Sequence, residues 1–127
     1  MTPHITLTVA GGRYDGRAFR FEDGTTCTLG RSPDCDVQVP SDPTYLSVSR
    51  HHCTFFADGP NLRIRDDHSM NGTYINGQLL PRGTGRALKD GDFIWVGHLV
   101  LRVSMTEEPD VPVEAEELAG EALAMNL

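Results

Sequence analysis

The stretch Asp66-Asp67-His68-Ser69-Met70-Asn71-Gly72-Thr73-Tyr74-Ile75-Asn76-Gly77 holds the side chains of a hydrolytic site, with Asp, His and Ser in direct succession. Neighbours in sequence do not make a triad, because nucleophile, base and orienting acid must converge from separate elements beside an oxyanion hole. No G-x-S-x-G elbow is present either, so catalysis is not expected. Metal ligation is the next chemistry these residue types allow, since His51, His52, Cys53, Asp66, Asp67 and His68 are all metal-capable. His51, His52 and Cys53, however, are consecutive on an expected strand, where neighbours point to opposite faces and cannot close on one ion. No metal or other cofactor is expected. A nucleotide-phosphate loop fails as well. Gly83-Thr84-Gly85-Arg86-Ala87-Leu88 has glycines but neither a Lys followed by Ser/Thr nor a long helix after it, and it reads as a turn.

Capture of an anion by separate loops survives these exclusions. Arg31 follows a glycine that ends a strand, Ser49-Arg50 precedes a strand, and Asn71-Gly72 sits at a tight turn. A guanidinium fork, a hydroxyl and turn amides suit a dianionic phosphate ester, because charge-assisted hydrogen bonds are shorter and stronger than neutral ones. The plainer readings are a surface arginine at Arg31, a strand-start cap at Ser49, a solvated side chain at Arg50 and a left-handed turn residue at Asn71. The last is compatible with a ligand role.

The elements that would carry these loops are strands. His4 to Ala10 alternates, with Ile5, Leu7 and Val9 on one face, and Gly11-Gly12 ends the run. Short apolar or alternating runs then recur between turn residues: RAFRF and TCTLG around Asp23-Gly24, DVQV before Pro40, HHCTFFA and NLRIRD around Asp58-Gly59-Pro60, GTYI and QLL around Asn76-Gly77, then DFIWVG and LVLRVS. About ten or eleven short strands with close turns predict an all-β antiparallel sandwich whose functional loops gather at one end. The loops to interrogate are Gly30 to Asp36, Pro40 to Arg50 and Asp66 to Asn76.

Composition sets the outer bounds. The chain's 127 residues suit one domain, expected over 1–105. The 18 acidic residues divide into seven after Ser104 and 11 before it, where they match the 11 Lys and Arg, so the tail carries the whole net charge of −7. Such a balance argues against nucleic-acid binding by phosphate neutralisation. The tail, 106–127, contains Pro109 and Pro112 with Gly120 among its apolar residues, and reads as a disordered or weakly helical linker. Without a leader segment or an apolar run of about 20 residues, the sequence reads as soluble and cytoplasmic. Cys27, Cys35 and Cys53 are an odd count without CxxC spacing, which predicts free thiols and no disulfide framework.

Five ordered blocks resemble the forkhead-associated (FHA) domain, a phosphothreonine-binding β-sandwich: Gly30-Arg31; Ser49-Arg50-His51-His52; Asp66 through Gly77; Leu88-Lys89-Asp90-Gly91-Asp92; and Val96-Gly97. The match covers roughly residues 4 to 105. The resemblance implies that Arg31 and Ser49, with Arg50 beside them, bind the phosphate, and that Asn71 holds the main chain of an extended peptide. Met70 and Asn76 are further peptide-side candidates, while Gly30, His52, Ser69, Gly72 and Thr73 support the loops. Met70 departs from the family's usual small hydroxyl residue and alters the pocket for the threonine methyl. Arg82 and Arg86 would suit an acidic residue, and Tyr45 and Leu46 an aliphatic one, at the position three residues after the phosphothreonine. The implied partner is a phosphothreonine-bearing protein or peptide, a Ser/Thr kinase or its substrate included, in kinase signalling or regulation of a secretion assembly. A phosphate-independent scaffold on the same fold is the alternative.

Overall fold

The alternation at the N-terminus does what period-two patterning dictates. Ile5, Leu7 and Val9 are buried on one face of β1 (Thr2–Val9), and His4, Thr6 and Thr8 lie on the other. This computed structural model describes residues 2–108; Thr106 to Glu108, placed with the tail above, end the last strand, and the expected character of 109–127 lies outside the described residues. Ten more strands follow: β2 (Ala18–Phe21), β3 (Thr26–Gly30), β4 (Val37–Gln38), β5 (Cys53–Asp58), β6 (Asn61–Asp66), β7 (Thr73–Ile75), β8 (Gln78–Leu80), β9 (Gly85–Leu88), β10 (Phe93–Val96) and β11 (Leu99–Glu108). Among the described residues one 3-10 turn, Pro43–Tyr45, is capped by the Asp42 side chain, which accepts from the Thr44 amide.

The strands form two sheets, a six-stranded one in the order β2-β1-β11-β10-β7-β8 and a five-stranded one in the order β4-β3-β5-β6-β9. All pairings are antiparallel except β3 with β4, where Leu29 opposes Val37 in parallel register. Antiparallel sheets with one face wet read as strict alternation, and β6 shows it, with Leu62, Ile64 and Asp66 buried between exposed Asn61, Arg63 and Arg65. The inner faces meet in one core in which Leu7, Ile75, Ile94 and Leu101 of the first sheet and Leu29, Phe55 and Ile64 of the second are 0–1% exposed. Fully burying such a side chain is worth about 1.5–3 kcal/mol.

Two turns show how local chemistry fixes register. Asn76 and Gly77 both have positive φ (51° and 82°), the signature of the two-residue hairpin turn that matches strand twist, and they set Ile75 opposite Gln78. Asp58 pairs with Asn61 around Gly59-Pro60, the expected hairpin.

One expectation fails: part of the presumed turn at Gly83 to Leu88 is strand β9, whose residues Gly85 to Leu88 pair with Arg65 to Leu62 on the edge of the second sheet. Only Leu88 of that strand is buried, so its short polar sequence carries no alternation to read. A second expectation shifts: β5 begins at Cys53, leaving His51 and His52 in the preceding loop.

Candidate functional site

Three loops converge through backbone and side-chain hydrogen bonds. The Arg31 amide donates to the Ser49 carbonyl (3.1 Å) and the Ser32 amide to the Arg50 carbonyl (2.9 Å), joining the loop after β3 to the loop before β5. Gly30 permits this approach, since a Cβ there would lie 2.1 Å from the Arg50 carbonyl oxygen. The Arg31 guanidinium is aimed by its Nε, which donates to the Val48 carbonyl (2.5 Å), and by Nη1, which donates to Ser41 Oγ (3.4 Å).

The third loop, between β6 and β7, is organised by a buried carboxylate. Asp66 accepts from the Ser69 amide (3.1 Å), the Ser69 hydroxyl (2.5 Å) and the Thr73 hydroxyl (2.7 Å), and Ser69 Oγ in turn accepts from the Gly72 amide (3.0 Å). Burial raises the Asp66 carboxyl, but the Ser69 and Thr73 hydrogen bonds and the nearby His52 outweigh it, so the group sits below its ordinary range. His52, 0% exposed, ties this loop to the second one: the Ser49 amide donates to its Nδ1 (2.9 Å) and its Nε2 faces the Gly72 carbonyl (2.9 Å). Because Nδ1 must accept, the proton is on Nε2, and the neutral ring is a two-ended brace. Burial holds the imidazole below its usual value, against the opposing pull of the Gly72 carbonyl, Asp66 and Asp67.

On this frame the polar tips meet. Ser49 Oγ accepts from the Met70 amide (2.9 Å), which leaves the hydroxyl proton available to a ligand, and the exposed Asn71 donates through Nδ2 to the Ser47 carbonyl (2.9 Å). An open recess of about 390 Å³ is lined by Arg31, Ser49, Arg50, Met70 and Asn71 together with Leu46, Ser47 and Val48. A second, of about 430 Å³, is lined by Ser49, His68, Ser69, Met70 and Arg82. Among the described residues neither lining contains a carboxylate, and each contains at least one guanidinium.

The structure thus gathers Arg31, Ser49, Arg50, Met70 and Asn71 around one recess and places Gly30, His52, Ser69, Gly72 and Thr73 in the frame behind it. Asn76 is elsewhere. Its Nδ2 donates to Asp92 (2.9 Å) and its Oδ1 accepts from the Phe93 amide (2.9 Å), bracing the β7–β8 turn against β10. Sequence reasoning missed how Arg82 holds the site, with Nε donating to the Ser69 carbonyl and Nη2 to the Met70 carbonyl (both 2.7 Å). Ser47 was missed too, and its Oγ accepts from the His98 amide (3.0 Å). Neither stands in a motif block, and only tertiary proximity reveals them.

The arrangement has counterparts. The family model described as FHA domain matches residues 27–97. A probable serine/threonine-protein kinase, fhkA, of Dictyostelium discoideum is 40% identical over 78 residues, 55% of this chain and 12% of that protein. The glycogen accumulation regulator GarA of Mycolicibacterium smegmatis is 32% identical over 91 residues, 72% of this chain and 52% of that protein. The chain therefore spans about half or less of the length of these curated relatives. A solved FHA domain studied for phosphothreonine-dependent interactions superposes with a TM-score of 0.70 at 30% identity, covering 83% of this chain and 99% of that one. With the family model spanning more than half the chain and the two-sheet topology in place, this protein belongs to the FHA domain family.

Proposed function

We propose that the protein is a non-catalytic reader of phosphothreonine in an extended peptide, serving phosphorylation-dependent protein–protein interaction. The observation that carries the reading is the convergence of Arg31, Arg50 and the Ser49 hydroxyl on one recess whose lining among the described residues holds no carboxylate. A phosphothreonine brings about −1.5 to −2 charge and three strong acceptors. Arg31 is anchored to Val48 through Nε alone and Ser49 keeps its hydroxyl proton, so both can donate to phosphate without breaking the frame. Each hydrogen bond to a charged group contributes on the order of 1.5–3 kcal/mol. Asn71, exposed at the rim, is placed to hold the peptide main chain, and Met70, 78% exposed, offers an apolar flank beside it. The partner class is a protein phosphorylated on threonine, as a Ser/Thr kinase or its substrate would be.

An oriented phosphothreonine peptide library, probed with wild type and Arg31→Ala in parallel, tests this. Binding should require the phosphate and fall on the order of 100-fold in Arg31→Ala, the loss of about 2.7 kcal/mol. Equal binding to phosphorylated and unphosphorylated peptides would instead establish a phosphate-independent scaffold.

A further inference from the structure

A second cluster stands on the same two loops that carry Arg31 and Arg50, outside the lining of the recess described above. Ser32 to Cys35 form a tight turn closed by the Cys35 amide donating to the Ser32 carbonyl (3.0 Å), and the turn is pinned to the next loop because the Arg50 carbonyl accepts from the Ser32 amide (2.9 Å). The same carbonyl lies 3.2 Å from Cys35 Sγ. The residue after Arg50 is His51, whose Nε2 reaches back to both carboxylate oxygens of Asp34 (2.8 and 3.0 Å). A thiol, an imidazole and a carboxylate from two loops thereby come together, with their ligand atoms all within 4.8 Å of one another. No other group of three such side chains gathers this closely among the described residues.

We propose that Asp34, Cys35 and His51 form a binding site for a borderline-soft divalent cation of the zinc class. Around tetrahedral zinc, with bonds of about 2.0–2.3 Å, ligand atoms sit about 3.3–3.6 Å apart. The imidazole and carboxylate are already slightly inside that spacing, and the exposed Asp34 and His51 side chains can adjust to the buried sulfur with small rotations. The ligating imidazole is the neutral tautomer with its proton on Nδ1, so Nε2 binds the cation in place of its hydrogen bond to the carboxylate, and the Cys35 thiol releases its proton to solvent as the sulfur–metal bond forms. The Arg50 carbonyl then loses the sulfhydryl but keeps the Ser32 amide, so no buried acceptor is left unpaired. Water completes the coordination. An ordinary surface ion pair would account for Asp34 and His51 alone, whereas the sulfur of Cys35 adds a third ligand atom from the same turn within reach of both. Cys27 and Cys53, 1% and 0% exposed in the core, cannot compete for the metal. A bound ion would staple the loop carrying Arg31 to the loop carrying Arg50.

The test is a titration of the full, chelator-treated chain with Co²⁺, whose thiolate complexes absorb in the near ultraviolet, followed by displacement with Zn²⁺. A thiolate band that saturates at about one equivalent is expected, absent in Cys35→Ser and shifted about tenfold or more toward weaker binding in His51→Gln and Asp34→Asn. Zn²⁺ should raise the thermal midpoint of wild type and raise those of His51→Gln and Asp34→Asn by less at the same metal concentration. If Cys35→Ser fails to fold, the two exposed substitutions decide alone. No thiolate band in wild type, a band surviving in Cys35→Ser, or undiminished affinity in His51→Gln and Asp34→Asn would overturn the proposal. No phosphopeptide enters the experiment, so its outcome is independent of the recognition reading.

Discussion

Gly30 and His52 show how single residues outside the lining hold the recess in shape. A Cβ on Gly30 would collide with backbone, the Arg50 carbonyl, which has no rotamer to yield. Gly30→Ala should therefore cost about 1–3 kcal/mol of unfolding free energy and weaken phosphopeptide binding as Arg31 and Arg50 are pushed apart, measured by denaturant titration and fluorescence anisotropy on the same variant. His52 makes stability pH-dependent with a definite sign. Its folded pKa lies below the ordinary value of about 6.5, so the unfolded chain binds the proton more readily, and the stability it contributes is complete above that pH and declines below it. The thermal midpoint should fall between about pH 7 and pH 5.5, less steeply in His52→Gln, and equal slopes would assign the effect to other groups. Asp66, a depressed carboxylate, adds a loss that sets in below about pH 4 as its hydroxyl and amide donors lose their charged acceptor. At this scale the sequence was legible where chemistry sat in contiguous blocks, as in Gly30-Arg31 and Ser49-Arg50. It was illegible where partners are far apart, as for Asp34 and Cys35 with His51, because the adjacency argument considers only neighbours along a strand.

Among elements, the β7–β8 hairpin separates bracing from binding. Asn76 spends both ends of its amide on Asp92 and Phe93, so Asn76→Ala should cost about 1–2 kcal/mol of stability while phosphopeptide affinity stays within about twofold. A fall in affinity at unchanged stability would return Asn76 to the peptide-contacting set. The strands that sequence made readable are those with a strong two-residue period, β1 and β6 above all, or with an explicit turn such as Asn76-Gly77. β9 escaped because Gly85, Arg86 and Ala87 are all exposed on a sheet edge, where no burial imposes a pattern. The partition of strands between sheets also lay beyond the sequence. Asp23-Gly24 looks like a hairpin turn, yet β2 belongs to the first sheet and β3 to the second.

For the whole molecule, charge is the property that reaches across all the parts. Residues 1–105 are balanced at 11 acidic and 11 basic side chains, and seven further carboxylates follow. An anionic ligand approaching the arginine recess is therefore repelled by the chain as a whole while being attracted locally. Neutralising the tail carboxylates to Gln and Asn should speed phosphopeptide association several-fold at low ionic strength, and the gain should vanish near 0.5 M salt, where the screening length is only about 4 Å. Stopped-flow rates at two salt concentrations check this, and a gain that persists at high salt would point to direct contact instead. A final consequence is mechanical. Thr2 stands opposite Glu108 in the β1–β11 register, so the two ends of the described residues lie side by side at the end of one antiparallel pair. Tension applied through those two ends loads the ladder one hydrogen bond at a time, as in opening a zipper. Such a geometry yields at low force, so stretching would peel β1 from β11 before it disturbed the arginine loops.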